Sequence, residues 1–273
     1  MRSVGFGQHL VRPVSCVLDS RGIYYDGSRP SDLEHLLQST EFPPALVDRA
    51  ASLRRAILIG RITKYNVGEG RWVRPPHASR VILVPGQVES DPAIHFGSPR
   101  IKTSMALLRA VREANPDACV VYKPHPEVVA GLRARGTDED RACQWCDAVV
   151  AATAMDALLP LVDEVHVMTS LAGFEALLRD RKVTCYGQPF YSGWGLTDDI
   201  DPVTRRTRRL TLDELVAGAL ILYSTYISRT TGKFATPEQV LAELLAWRLK
   251  VEAQPTWRKA LGWLLHLRAR VMR

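Results

Sequence analysis

Val81-Ile-Leu-Val-Pro-Gly-Gln-Val-Glu-Ser-Asp91 decides the fold. Its first five residues form a continuous apolar run, the pattern of a strand buried on both faces of a parallel sheet. The run breaks into Gly86-Gln87-Val88-Glu89-Ser90-Asp91, which puts an amide and two carboxylates just past the strand's carboxyl end. A helix-period segment from Ile101 to Ala114 follows, with Met105, Leu107, Leu108 and Val111 on its apolar face and Asn115-Pro116-Asp117 to end it. Cys119-Val-Val-Tyr122 reads as a second buried strand, with Lys123-Pro124-His125-Pro126-Glu127 at its end. Ligands of open α/β sheets bind outside the carboxyl ends of the strands. The spacing therefore predicts that Asp91, Glu89, Lys123 and His125 face one crevice. An acid pair beside Lys and His suits transfer chemistry on a substrate bearing a phosphate or a carboxylate. Solvated loop residues at ordinary turns are the competing reading.

Downstream the alternation continues. Asp147-Ala-Val-Val, Glu164-Val-His-Val-Met and Lys182-Val-Thr-Cys-Tyr read as strands, with helices at Met155–Leu161 and Leu171–Arg179 between them. Such regularity predicts an α/β fold with a right-handed, doubly wound parallel sheet. Upstream, Val14–Asp19 and Gly22–Asp26 read as a short hairpin around Ser20-Arg21. Ser31 and Glu34 have capping-box spacing. A longer helix is expected from Pro44 to Tyr65, its last turn weakened by Gly60. The turn-rich run from Asn66 to Pro76 is the candidate linker, and its Gly68-x-Gly70 lacks the third glycine and the preceding strand of a nucleotide fingerprint. From Leu210 onward the strands are expected to stop: Thr211 to Glu214 is a capping box, Thr236-Pro237 opens another helix, and a last helix runs from Pro255 to the end.

The 273 residues are 46% hydrophobic and 24% charged, enough for a sizeable core and too apolar for disorder. The formal net charge of +7 favours an acidic partner: nucleic acid, an anionic membrane surface or a phosphorylated substrate. No 18-residue apolar run and no signal peptide is visible, so the expected location is cytoplasmic. Of the five cysteines, Cys119 and Cys185 fall within apolar strands. Cys143 and Cys146 form an isolated CxxC without the second ligand pair that a structural zinc site needs.

Two more strand ends carry signals. Thr169-Ser170-Leu-Ala-Gly173-Phe-Glu175 sets two hydroxyls at a strand–helix junction, where free N–H groups and the helix dipole favour an anion. There Gly173 would admit a ligand to the backbone and Glu175 would reach ribose hydroxyls; a plain helix cap is the other reading. Gly187-Gln-Pro-Phe-Tyr-Ser-Gly-Trp-Gly-Leu-Thr-Asp-Asp199 interleaves glycines with Phe190, Tyr191 and Trp194, which suits a sugar ring or a base, or else a packed aromatic plug. Arg205, Arg206, Arg208 and Arg209 form a basic run. The segment from Trp257 to Arg273 is basic and amphipathic, fit to lie on an anionic membrane or to dock on the core.

These segments together resemble the capsule polysaccharide biosynthesis family of Gram-negative bacteria, the KpsC-type β-Kdo glycosyltransferases. The matching motifs are Arg21-Gly-Ile-Tyr-Tyr-Asp with Arg29-Pro-Ser-Asp-Leu-Glu, Lys64-Tyr-Asn, Pro85-Gly-Gln-Val-Glu-Ser-Asp, Tyr122-Lys-Pro-His-Pro, Thr169-Ser-Leu-Ala-Gly-Phe-Glu-Ala-Leu, Gly187 through Asp199, and Leu210 through Tyr223. The resemblance implies a GT-B-like arrangement of two Rossmann-like halves, CMP-Kdo as donor, and a lipid-linked oligo-Kdo acceptor at the inner face of the inner membrane. Other capsule assembly proteins are implied as partners; no nucleic acid is, and no cofactor. Family modules look longer at the N-terminus, so one module shortened there is expected.

The expected division is residues 1–75 as a partial acceptor-side region, 76–210 as a Rossmann-like donor-binding region and 211–273 as C-terminal helices. The expected chemistry is retaining. Asp91 attacks the anomeric carbon and holds the sugar covalently, with Glu89 as the rival nucleophile. His125 and Lys123 hold or protonate the departing phosphate. Gln87, Thr169, Ser170, Gly173, Glu175 and Gln188 make up the rest of the donor site, and Tyr191, Trp194 and Arg206 touch sugar or acceptor. No metal is called for, since protein cations can balance one phosphate. The alternative is a non-catalytic assembly or export protein that binds the glycolipid at the membrane.

Overall fold

A computed structural model of the chain describes residues 13–65 and 67–252. The amphipathic segment expected from Pro255 to the end lies outside the described residues. In chain order the elements are β1 (Ser15–Cys16), α1 (Asp32–Ser39), α2 (Pro44–Ile59), β2 (Val81–Pro85), α3 (Pro92–Gly97), α4 (Ser104–Ala114), β3 (Cys119–Lys123) and α5 (Pro126–Val129). A 3-10 turn (Glu139–Gln144) leads to β4 (Ala148–Val149), α6 (Met155–Leu158), β5 (Glu164–Val167), α7 (Leu171–Leu177), β6 (Lys182–Cys185) and β7 (Asp198–Asp199). The described chain then runs through α8 (Leu212–Val216), a π-helical turn (Ala217–Leu222), β8 (Thr225–Ile227), β9 (Phe234–Ala235) and α9 (Pro237–Glu252).

Six strands form one parallel sheet in the order β4-β3-β2-β5-β6-β7, the doubly wound Rossmann order, with its topological switch between β2 and β5. All five residues of β2 are buried, as its unbroken apolar run requires of a central strand. Alternation of side chains across the pleat sorts them into two layers. Val81 and Leu83 join Leu53, Ile57, Phe174 and Leu215 on the side of α2, α7 and α8. Ile82 and Val84 join Leu107, Leu108 and Val111 of α4 on the other. Each such side chain, fully buried, contributes roughly 1.5–3 kcal/mol, so the sheet's carboxyl edge stands on a rigid base.

Three expectations about secondary structure need correction. Val14–Asp26 is not a hairpin: Ser15–Cys16 pairs antiparallel with Thr225–Tyr226, more than two hundred residues away in sequence. The stretch after it is turned back by Asp19, whose carboxylate accepts from the N–H groups of Arg21, Gly22 and Asp32. Strands do not stop at Leu210, because β1, β8 and β9 make a three-stranded antiparallel sheet. Finally, α2 ends at Ile59, not Tyr65. Gly60 closes it and Arg61 takes a left-handed conformation (φ 51°), which releases Ile62–Tyr65 as a loop. The Thr211/Glu214 capping box is complete. At α1 only Ser31 plays its half, because the Glu34 carboxylate is drawn off to Arg205 and Arg206.

Candidate functional site

The switch point opens into a cavity of about 520 Å³. Asp91, Lys123 and His125 all line it, at the ends of the two strands that the sequence singled out. Asp91 is the N-cap of α3 and accepts from the Ala93 N–H through Oδ1 at 2.9 Å. Gln87, from the same loop, crosses the switch: its Nε2 donates to Thr169 Oγ1 at 2.8 Å. The Rossmann crevice is thus closed at its base by a side-chain clasp between the β2 and β5 loops. Gly86 has to be glycine here, because a Cβ would stand 2.6 Å from the Tyr122 hydroxyl.

His125 caps α5 and receives the Glu127 N–H at Nδ1, 3.3 Å away. That assignment leaves the proton on Nε2, which lies 3.4 Å from the Tyr65 hydroxyl. Burial, with Lys64 and Arg133 nearby, pulls its pKa down to about 4. At neutral pH it is an uncharged hydrogen-bond donor.

Lys123 is buried, and burial lowers its pKa to about 8. Its ammonium donates to the carbonyls of Thr153 at 2.6 Å and Ala151 at 3.4 Å. This lysine therefore fastens the chain after β4 to the end of β3.

Thr169 and Ser170 also line the cavity. Ser170 caps α7 through Oγ to the Ala172 N–H, and its carbonyl receives the Tyr191 hydroxyl. Glu175 sits one turn further in, 7% exposed, and reaches the cavity wall. Burial lifts its pKa to about 7, even though the Lys64 N–H, Arg179 and the Lys64 charge all favour the ionised form. Its Oε1 accepts from the Lys64 N–H at 2.6 Å.

The remaining sequence assignments lie elsewhere in the molecule. Glu89 does not line the cavity; its carboxylate accepts from Thr137 N–H and Oγ1 and anchors that loop. Gly173 does not admit a ligand: a Cβ there would meet the Tyr191 hydroxyl at 2.3 Å, so the glycine makes room for that ring. Gln188 donates to the Asp201 carbonyl, away from the cavity. Tyr191 and Trp194 are wholly buried, and the Trp194 indole N–H is spent on the Phe190 carbonyl. Arg206 is buried between Glu34 and the carbonyls of Pro189 and Ser192. The glycine–aromatic stretch is the packed plug, and only its Pro189 and Phe190 touch the cavity. Cys146 follows the 3-10 turn that holds exposed Cys143; burial and that neighbour raise its thiol to about 11, so it stays protonated.

Residues that the strand-end rule missed complete the lining. Lys64 and Tyr65 come from the loop released at Gly60, Tyr24 from the turns after β1, and Tyr223 from the end of the π-helical turn. The Lys64 ammonium stands 5.0 Å from the centre of the Tyr65 ring. Burial works against its charge, but Tyr65, Asp91 and Glu175 outweigh burial and hold its pKa above the usual value. Tyr24 packs edge-on against Phe190 and Tyr223 and stands within the fields of Lys64 and Asp91. The signal for Lys64 was present in the sequence as Lys64-Tyr-Asn.

A family model described as "Capsule polysaccharide biosynthesis protein" matches residues 4–69 and 50–234. The chain is 48% identical over 238 residues to "Capsule polysaccharide modification protein LipA" of Neisseria meningitidis serogroup A, which covers 87% of this chain and 34% of that protein. It is 42% identical over 248 residues to "Lipopolysaccharide-processing protein LpsZ" of Rhizobium meliloti, covering 89% of the chain and 56% of the relative. The chain thus spans about a third to a little over half of these relatives. Two solved structures share the fold, both from Thermosulfurimonas dismutans. "KpsC, beta Kdo 2,4 transferase" has a TM-score of 0.80 at 36% identity, over 90% of this chain and 77% of that one. "KpsC, beta Kdo 2,7 transferase" has a TM-score of 0.74 at 42% identity, over 86% and 73%.

Proposed function

The chain belongs to the capsule polysaccharide biosynthesis family, and on that premise we propose that it is a retaining glycosyltransferase module moving Kdo from CMP-Kdo to a lipid-linked oligo-Kdo acceptor. The observation that carries the reading is the meeting of Asp91 and His125 in one cavity at the sheet's switch point, beside Thr169 and Ser170.

The chemistry takes two displacements. The Asp91 carboxylate attacks the anomeric carbon, the bond to the phosphate oxygen breaks, and CMP leaves with the electron pair. The acceptor hydroxyl then attacks the same carbon from the opposite face, losing its proton to solvent or a base, and Asp91 departs as carboxylate. Two inversions give net retention. Asp91 suits the first step because the α3 cap fixes its orientation. His125, neutral and carrying its proton on Nε2, serves better as a donor that holds the phosphate than as an acid that protonates it. Thr169 and Ser170 stand where the donor's phosphate would meet α7. Residues 1–75 are assigned to the acceptor side and 76–210 to the donor, while the described part of the chain after residue 210 joins β8 and β9 to α8 and α9. Among the described residues no helix is long and apolar enough to cross a membrane.

The test is incubation with CMP-Kdo generated in situ and a synthetic Kdo-lipid acceptor, read by mass spectrometry. Asp91→Asn keeps the helix cap, so it should stay folded and lose transfer. Wild-type turnover in Asp91→Asn or Asp91→Ala would refute the assignment. Glycolipid binding by the unaltered protein without any transfer would favour a non-catalytic assembly role.

A further inference from the structure

Among the described residues two lysines line the cavity, and they are not equivalent. The Lys123 ammonium is turned to the Thr153 and Ala151 carbonyls. That segment is joined in turn to the loop after Lys64, through the Glu69–Thr153 bridge and the Gly70 N–H on the Ala152 carbonyl. His125 is uncharged near neutrality. An acidic substrate group entering this cavity thus finds its cation in Lys64, which comes from outside the parallel sheet. Lys64 is held at two levels. Its backbone N–H is fixed by the Glu175 carboxylate at 2.6 Å, and its ammonium stands over Tyr65 within the fields of Asp91 and Glu175.

We propose that Lys64 receives the acidic group of the substrate, a phosphate or a sugar carboxylate, and that Glu175 is the positioning residue that sets Lys64 rather than a ribose contact. The inference rests on the transferase reading for the identity of the ligand. A phosphate or carboxylate at Lys64 would take over the charge partnership now provided by Asp91, leaving that carboxylate less screened and more nucleophilic. Glu175 competes for the same cation when ionised and yields it when protonated.

Four proteins test this: wild type, Lys64→Met, Lys64→Arg and Glu175→Gln, each checked for fold by its melting curve. The probes are inorganic phosphate, followed by phosphorus NMR, and CMP, cytidine and free Kdo, followed by calorimetry. Lys64→Met should weaken phosphate binding by about tenfold or more, the size of one charge-assisted hydrogen bond, and Lys64→Arg should recover most of it. A matching loss for CMP but not cytidine places the nucleotide phosphate at Lys64; a matching loss for Kdo places the sugar carboxylate there. Free Kdo, whose carboxylate stays ionised throughout, should bind wild type more tightly as pH falls from 8.5 to 6, and with a steeper dependence than in Glu175→Gln, where Lys123, at about 8, still gains its charge over that range. That comparison is needed because Lys64, Arg179 and Asp156 all act on Glu175, and Asp91 acts on Lys64. Phosphate, CMP and Kdo binding all unchanged in Lys64→Met, or none of the three binding to wild type, overturns the inference. Lysine-dependent phosphate binding without affinity for CMP or Kdo keeps it and overturns the transferase reading. Equal pH profiles for wild type and Glu175→Gln remove Glu175 from its positioning role.

Discussion

Replacing Glu175 by Gln should stabilise the folded protein above neutral pH and leave it nearly unchanged in acid. The carboxyl is 7% exposed, and burial raises its pKa from 4.5 to about 7. The folded chain therefore binds a proton more tightly than the unfolded chain does. Stability at this position is fully present below about pH 4.5 and is lost as pH rises through about 7. The displacement corresponds to roughly 3 kcal/mol once the group is ionised in both states. Gln keeps an acceptor for the Lys64 N–H and has no charge to desolvate. Urea denaturation of both proteins at pH 5 and pH 8 reads the effect as the change in their difference. The neutral histidines His125 and His166, whose pKa values are depressed, destabilise the fold as pH falls below 6.5; both proteins contain them, so they cancel. A Glu175→Gln protein whose advantage is the same at both pH values, or larger at pH 5, would show that Glu175 is not a strained buried acid.

Arg206→Met should cost about 1–3 kcal/mol, because Glu34 keeps Arg205 while the Pro189 and Ser192 carbonyls lose a buried donor, and should leave CMP affinity intact; lower sugar affinity at full stability would restore Arg206 as a ligand contact. Gly173→Ala should lower the urea midpoint, by about 1–3 kcal/mol of overpacking, since its methyl would press on Tyr191; an unchanged midpoint with a raised KM would mean that the glycine admits substrate after all. Glu89→Gln should turn over near the wild-type rate, its loss confined to the Thr137 anchor, and a collapse in rate would bring Glu89 back as the nucleophile.

What could be read from the sequence was whatever local pattern determines. Val81–Pro85 had to be a buried strand because no polar residue interrupts it, and the strand-end rule then put Asp91 and His125 in one cavity. What could not be read depends on distant partners. Ser15–Cys16 is two residues long, too short to carry a period, and its pairing with Thr225–Tyr226 is set by tertiary packing. Glu34 has the spacing of a capping box, yet two arginines from residues 205 and 206 offer its carboxylate more than a backbone N–H does. Phe190, Tyr191 and Trp194 fit a sugar platform and a core plug equally well as letters; burial separates them. Lys64 falls inside the helix expected to run to Tyr65, and the rule that ligands gather at strand ends says nothing about the loop that takes its place.

The cavity's charge is divided between two parts of the fold. The parallel sheet supplies the acid, Asp91, and hydrogen-bonding groups, but its own cation is tied to carbonyls and its histidine is neutral. The cation within Asp91's field arrives from the loop after α2, whose helix must end at Gly60 for Ile62 and Thr63 to pack and Lys64 to reach the cavity. Extending α2 through Gly60 would carry the lysine out of the cavity and leave Glu175 buried without its N–H donor, a loss comparable to breaking any buried charged hydrogen bond. A chain cut to residues 76–210 would thus keep Asp91 and the clasp between Gln87 and Thr169 and lose Lys64. The site is a joint property of the sheet and of the helix that precedes it.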